Sequence, residues 1–312
     1  MSQAQGAAGP TGAPEATATA LDRQLDAAAL ARLASLRLRV RRVVDGALAG
    51  LHRSRHHGAS VEFAEHKEYA PGDDLRRLDW KALGKFDRYY VREYEDETEL
   101  RAYLLLDCSG SMGYGRPLSK LQYAAVLAGS LAYLLSRQRD SPALAAFADD
   151  VISYVPPRGR STHLAVLLRA LDALRPVGST DVGRAIERLM ELCGRRAVVT
   201  VISDMFDTGG RGLALLQRLR ARGHQVVLFH LLHQDELTLP FSQLTRFEAM
   251  EETRHLLVDP AGVRQAYLRE FERFCQQVRG ACREAQVAYR RVSTADRLDR
   301  VLVELLRGRL AA

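Results

Sequence analysis

Lysine is nearly absent from this chain: Lys67, Lys81, Lys85 and Lys120 are the only four among 45 basic residues. Arginine therefore carries the formal charge of +7. With abundant alanine, that bias is the usual mark of a GC-rich genome, so the positive sign does not by itself assign a nucleic-acid partner. No uncharged apolar run approaches the ~18 residues of a membrane span. The first twenty residues lack the basic-then-apolar order of a signal peptide, and by elimination a cytoplasmic protein is expected. The four cysteines, Cys108, Cys193, Cys275 and Cys282, have no short metal-knuckle spacing and read as reduced thiols. What is present suits a folded body: 312 residues, 47% hydrophobic and 27% charged, enough for one large domain or two ordinary ones.

Composition divides the chain. Residues 1–20 are small and polar with almost no charge, and cannot bury enough surface to offset ordering entropy, so a disordered tail is expected. From Leu21 to about Leu51 apolar residues recur at helical spacing (Leu25, Leu33, Leu36, Val40, Val43), with Arg32, Arg37, Arg39, Arg41 and Arg42 on the other face. A basic loop bearing His52, His56 and His57 follows. Residues 60–97 read as a strand, a turn at Pro71-Gly72, a short helix and a second strand, so 21–97 is expected to form an N-terminal helix and a small β-containing region. Residues 98–312 alternate apolar strands with helices, interrupted by a hairpin insert near 237–258. The expected fold class is α/β: a doubly wound, mostly parallel sheet flanked by helices, with an N-terminal helical and small β-rich extension.

In an open α/β sheet, ligands bind beyond the carboxyl ends of the strands. Three segments put oxygen-bearing side chains there. The apolar run Leu104–Leu106 leads into Asp107-Cys108-Ser109-Gly110-Ser111; the loop Gly178-Ser179-Thr180-Asp181 opens a helix; and Val201-Ile202-Ser203 ends in Asp204. Asp107, Ser109 and Ser111 alternate, so an extended turn would point all three to one side. Carboxylate and hydroxyl oxygens are hard ligands suited to Mg²⁺ or Mn²⁺. Neutral hydroxyls do little to quench a dication, which leaves it able to accept a further carboxylate from outside.

Asp-x-Ser-x-Ser, a distant Thr and a strand-ending Asp together resemble the metal-ion-dependent adhesion site of von Willebrand factor type A domains. The upstream block, Glu62-Phe63-Ala64-Glu65 through Tyr69-Ala70-Pro71-Gly72-Asp73-Asp74-Leu75-Arg76 and then Asp79-Trp80, resembles the signature of the bacterial domain-of-unknown-function-58 family. That resemblance implies a type A-like domain over roughly residues 50–309 and a frequent association with MoxR-type AAA+ ATPases. It further implies that Ser109 and Ser111 bind the metal directly, Thr180 in one state, and Asp107 and Asp204 partly through water.

Bland readings compete at each position. Asp107–Ser111 alone could be a helix cap. Cys108 invites a phosphatase-like nucleophile, but the next arginine, Arg116, is eight positions on, and a packed bystander is expected. Ser109 or Ser111 as a hydrolase nucleophile would need His163 or His230 as base, and His230 lies in an apolar strand. The histidine loop and arginine face could meet nucleic acid, or could be solvated. The expectation is a Mg²⁺-dependent, non-enzymatic adaptor that binds an acidic side chain of a partner, a MoxR-type ATPase or its client. A metal-dependent phosphoester hydrolase and a nucleic-acid-binding protein are the alternatives.

Overall fold

The computed structural model describes residues 35–55, 67–68, 90–91, 100–194, 196–206, 211–251 and 255–307. The expected tail at 1–20, the start of the first helix before residue 35, the side chains of His52, His56 and His57, and the block from Glu62 to Trp80 (apart from the backbone of 67–68) lie outside those residues. The chain divides into two compact units, Leu51–Glu99 and the remainder. In the smaller, strands β1 (Lys67–Glu68) and β2 (Tyr90–Val91) pair antiparallel.

The larger unit follows the order α1 (Leu36–Arg55, whose residues to Gly50 belong to this unit), β3 (Arg101–Asp107), α2 (Lys120–Arg137), β4 (Ser141–Phe147), β5 (Val151–Val155), α3 (His163–Ala173), α4 (Val182–Leu192), β6 (Val198–Ser203), α5 (Arg211–Ala221) and β7 (Gln225–Leu232). A short helix α6 (Gln234–Thr238), a hairpin of β8 (Thr245–Glu248) and β9 (His255–Val258), α7 (Pro260–Glu284), β10 (Ala288–Ser293) and α8 (Leu298–Leu306) complete it. The six-stranded sheet runs β10-β7-β6-β3-β4-β5, parallel throughout except for β5, which pairs antiparallel with β4.

Its inner strands β3, β4, β6 and β7 are largely apolar because both faces are covered, whereas the edge strands β5 and β10 are less buried and β10 carries Arg290 and Arg291. Side chains alternate across the pleat: Leu104, Leu106, Ile202 and Phe229 enter one core with α1, α2, α3 and α8, while Tyr103, Leu105, Val201 and Leu228 enter another with α4, α5 and α7. From β3 the chain first builds toward β4 and β5, then crosses back to lay β6 against the other side of β3. The reversal of strand order therefore falls between β3 and β6, whose carboxyl ends deliver Asp107 and Asp204. The mostly parallel, doubly wound α/β sheet expected from the sequence is thus observed. No helix among the described residues is long and apolar enough to cross a membrane.

Helix α1 packs into the larger unit. Val40, Val43, Val44 and Ala47 are fully buried in the core, while Arg37 and Arg41 face outward. Contact with α2 is close at Gly129, where a Cβ would lie 2.7 Å from Val40 Cγ2 and 3.0 Å from Leu168 Cδ2. Glycine mid-helix is unfavourable by about 1 kcal/mol, so its use here reflects the approach of α1 rather than helix preference. Gly129→Ala is expected to destabilise by ~1–3 kcal/mol through overpacking, and Val40→Ala in the same chain to recover part of that loss. Urea unfolding of the two single variants and the double variant checks this; strict additivity would contradict the contact.

Candidate functional site

Strand β3 ends in Asp107, whose carboxylate lies fully inside the protein. Asp107 Oδ1 accepts the Ser109 N–H at 2.9 Å, and Oδ2 accepts the Ser203 hydroxyl at 2.6 Å and the Thr180 hydroxyl at 3.4 Å. The chain after Ser109 is not extended, as alternation alone had suggested. It tightens into a 3-10 turn, Gly110–Gly113, and this turn brings Ser111 Oγ to 3.1 Å from Ser109 Oγ. Ser111 Oγ then donates to Asp204 Oδ2 at 2.8 Å.

The Thr180 loop is stitched to the same turn by backbone bonds, Val177 N–H to Cys108 O at 2.8 Å and Gly110 N–H to Gly178 O at 2.9 Å. Gly178 takes a left-handed φ of +58°, a conformation that glycine adopts without strain. Asp181 caps α4, accepting the Arg184 N–H at 2.8 Å. On β6, Met205 also has a left-handed φ, 57°, which turns the chain away immediately after Asp204; its N–H is held by Ser203 Oγ at 2.9 Å. All five predicted side chains, Asp107, Ser109, Ser111, Thr180 and Asp204, therefore share one hydrogen-bonded cluster at the switch point.

Sequence reasoning missed three members. Lys120, with its side chain fully buried, donates to Asp204 Oδ2 at 2.7 Å and to Glu236 Oε1 at 2.6 Å, and lies 5.2 Å above the Phe206 ring. Glu236 in turn accepts the His233 N–H at 2.6 Å. Burial pulls the Lys120 ammonium toward neutrality, but Asp204 and Glu236 outweigh it and its pKa is raised. Ser203, the third, was visible only as the residue before Asp204. The available signal for Lys120 was its rarity, one lysine in the first turn of a helix in an arginine-dominated chain.

The histidines are occupied elsewhere. His230 Nε2 is 3.0 Å from the Asp204 carbonyl, which can only accept, so Nε2 carries the proton and Nδ1 accepts from Tyr289 OH at 2.9 Å. Burial lowers its pKa to about 4, keeping it neutral. His163 Nε2 is 3.0 Å from Pro142 O. The Cys108 thiol is fully buried and pushed up to about 12 by burial and then by Asp107, the state of a packed, unreactive thiol.

Three carboxylates (Asp107, Asp204, Glu236) and one ammonium (Lys120) leave this cluster two negative charges in excess when all are ionised. Burial, and next the Asp204 charge, push Asp107 up to about 7. Among the described residues no three His, Cys, Asp or Glu side chains gather as a metal cluster. The group here offers two carboxylates and three hydroxyls instead. An all-oxygen set with a net charge of about −2 fits a hard dication such as Mg²⁺ or Mn²⁺. A groove of about 930 Å³ along α7 and β10, lined by Arg279, Arg283, Arg290 and Arg291, contains none of these residues.

Removing Lys120 strands two buried carboxylates. Lys120→Met is expected to cost roughly 3–5 kcal/mol in a urea titration. Lys120→Arg is expected to be destabilised as well, since a planar fork cannot replace a point charge in a closed pocket. A variant as stable as the parent would contradict this account.

Comparison with known proteins matches 65–277 to the family described as "Protein of unknown function DUF58". Uncharacterized protein Mb1516 of Mycobacterium bovis and uncharacterized protein Rv1480 of Mycobacterium tuberculosis are each 29% identical over 214 residues, covering 67% of this chain and 67% of theirs. Among solved structures, BatB from Bacteroides thetaiotaomicron is 15% identical with a TM-score of 0.45, covering 67% of this chain and 98% of that one. An aerotolerance-related membrane protein from Bacteroides fragilis is 20% identical with a TM-score of 0.46, over 68% and 98%. With its family's profile spanning most of its length, the chain belongs to the DUF58 family.

Proposed function

We propose that this protein is a Mg²⁺- or Mn²⁺-dependent interaction module that captures an acidic side chain of a partner protein. The carrying observation is the convergence of three hydroxyls, Ser109, Ser111 and Thr180, with two buried carboxylates, Asp107 and Asp204, around an excess of negative charge. Ser109, Ser111 and Thr180 would hold the ion, with Asp107 and Asp204 positioning them and balancing its charge. When bound, the ion supplies a Lewis-acidic point that prefers a hard anionic oxygen. Asp204 Oδ2 already accepts from Ser111 and Lys120, which suits it to an indirect role.

Binding rather than turnover is supported by the surroundings. Both ring nitrogens of His230 are engaged and His163 Nε2 faces the Pro142 carbonyl, so neither histidine weighed as a base for the hydrolase reading is bonded to a serine of the cluster. The β8–β9 hairpin carries exposed apolar side chains, Leu256 at 66% with Leu244 at 65% just before it, the composition of a docking surface rather than of a pocket for a small substrate. A cytoplasmic partner of the MoxR-type AAA+ class, or its client, is the assignment that the family resemblance favours.

Mg²⁺ at a hundred times its Kd should stabilise the fold by ~2.7 kcal/mol, or roughly 5–10 °C in Tm. Asp107→Asn retains an acceptor for the Ser109 N–H and is expected to fold yet lose that increment. Differential scanning calorimetry with Mg²⁺ and with a chelator measures both. Equal Mg²⁺ stabilisation of parent and variant would end the proposal.

A further inference from the structure

The β8–β9 hairpin projects from the body of the larger unit. Leu256 and Leu257 are neighbours on β9 and must face opposite ways, yet both are more than 60% exposed. After β8 the chain meets the larger unit at Met250. A Cβ on Gly110 would lie 2.2 Å from the Met250 carbonyl oxygen, and one on Gly113 would lie 3.6 Å from Met250 Cε. Met250 is thus packed on the turn that carries Ser109 and Ser111, against the glycine between those two hydroxyls.

The next residue is Glu251, half-buried, with Oε1 sealed from solvent and without a hydrogen-bond partner. Among the described residues it is the only buried side-chain oxygen left in that condition; the other two orphaned atoms are arginine nitrogens, Arg220 Nε and Arg290 Nε. A buried carboxylate oxygen without a donor is costly, and such an atom calls for an explanation such as a bound ion. Here it follows directly on the residue that touches the candidate metal turn.

We propose that Glu251 is an internal carboxylate ligand, holding the coordination position that an outside acidic side chain must take. This rests on the metal-binding reading and deepens it: the site is self-occupied, and a partner gains access by displacing Glu251. The hairpin's exposed Leu256 and Leu257 offer the handle through which an apolar and acidic partner surface could draw it away. Glycine at position 110 is then required twice, for the turn to pass beneath Met250 and to leave both hydroxyls clear.

Mn²⁺, which shares the oxygen preference of Mg²⁺ and is paramagnetic, tests this directly on the full chain. Parent, Glu251→Gln and Asp107→Asn are titrated with Mn²⁺ by electron paramagnetic resonance, and the water-proton relaxivity of the bound ion is measured. Glu251→Gln is expected to weaken Mn²⁺ by about tenfold and to raise relaxivity, as water enters the freed position. Acetate should then lower the relaxivity of Glu251→Gln while leaving the parent unchanged. Should Glu251→Gln match the parent in affinity and relaxivity while Asp107→Asn loses binding, the metal site stands and the internal ligand is refuted. Should the parent itself bind no Mn²⁺, both fall together.

Discussion

Two carboxylates confined in a buried corner dominate this structure. Asp107 and Asp204 arrive on adjacent parallel strands, both fully buried, and burial together with the Asp204 charge raises the cost of ionising Asp107. Parallel strands emerge from the core at the same end, so the topology itself puts their terminal residues side by side. Everything nearby is a donor: the Ser203, Thr180 and Ser111 hydroxyls, the Ser109 and Phe206 N–H groups, and the Lys120 ammonium. Neutral donors orient and partly screen such a pair; a proton on Asp107 or a bound cation removes the repulsion.

The built-in cation is instructive in its own right. Lys120 opens α2, at the helix end where a positive charge is least welcome, and it follows the Ser119 capping box that fixes the helix start. Its placement is explained by the carboxylates, not by the helix. In a chain whose basic residues are otherwise almost all arginine, lysine occurs where a compact ammonium must satisfy two carboxylates and an aromatic face at once. One ammonium leaves the cluster still negative, consistent with a reading in which Lys120 sets the resting structure and a dication completes the charge balance.

How much of this was legible beforehand follows from which features are local. The strands announced themselves because burial on both faces demands nearly continuous apolar runs, as in Leu104–Leu106 and in Val198–Ile202, broken only by Thr200. Asp107, Ser109, Ser111, Thr180 and Asp204 could be grouped because each ends a strand or opens a helix, positions a parallel sheet gathers at one end. Lys120 and Glu236 could not, because their meeting depends on how α2 and α6 sit in space, 116 residues apart. The 3-10 turn at Gly110–Gly113 was hidden for a related reason: alternation predicts direction only while the backbone stays extended. The alternation of Asp107, Ser109 and Ser111 says nothing of Gly110, whose lack of a side chain is what admits Met250.

The cluster is also wired to elements far from it in the chain. Asp204 holds Lys120, Lys120 holds Glu236 on α6, and the Glu236 carbonyl accepts the Tyr267 hydroxyl from α7 at 3.0 Å. A second route runs through Phe206, which stacks on Phe274 of the same helix with ring centres 5.2 Å apart. Both routes begin at the end of β6 and arrive on α7, which also carries the hairpin's return strand at its start through the Asp259 cap. A cation added beside Asp204 would compete with Lys120 for the same carboxylate oxygen, the point from which both routes to α7 start. The hairpin bearing Met250 and Glu251 lies between α6 and α7 in the chain, so the segment set against the candidate site is bracketed by the elements that these routes reach.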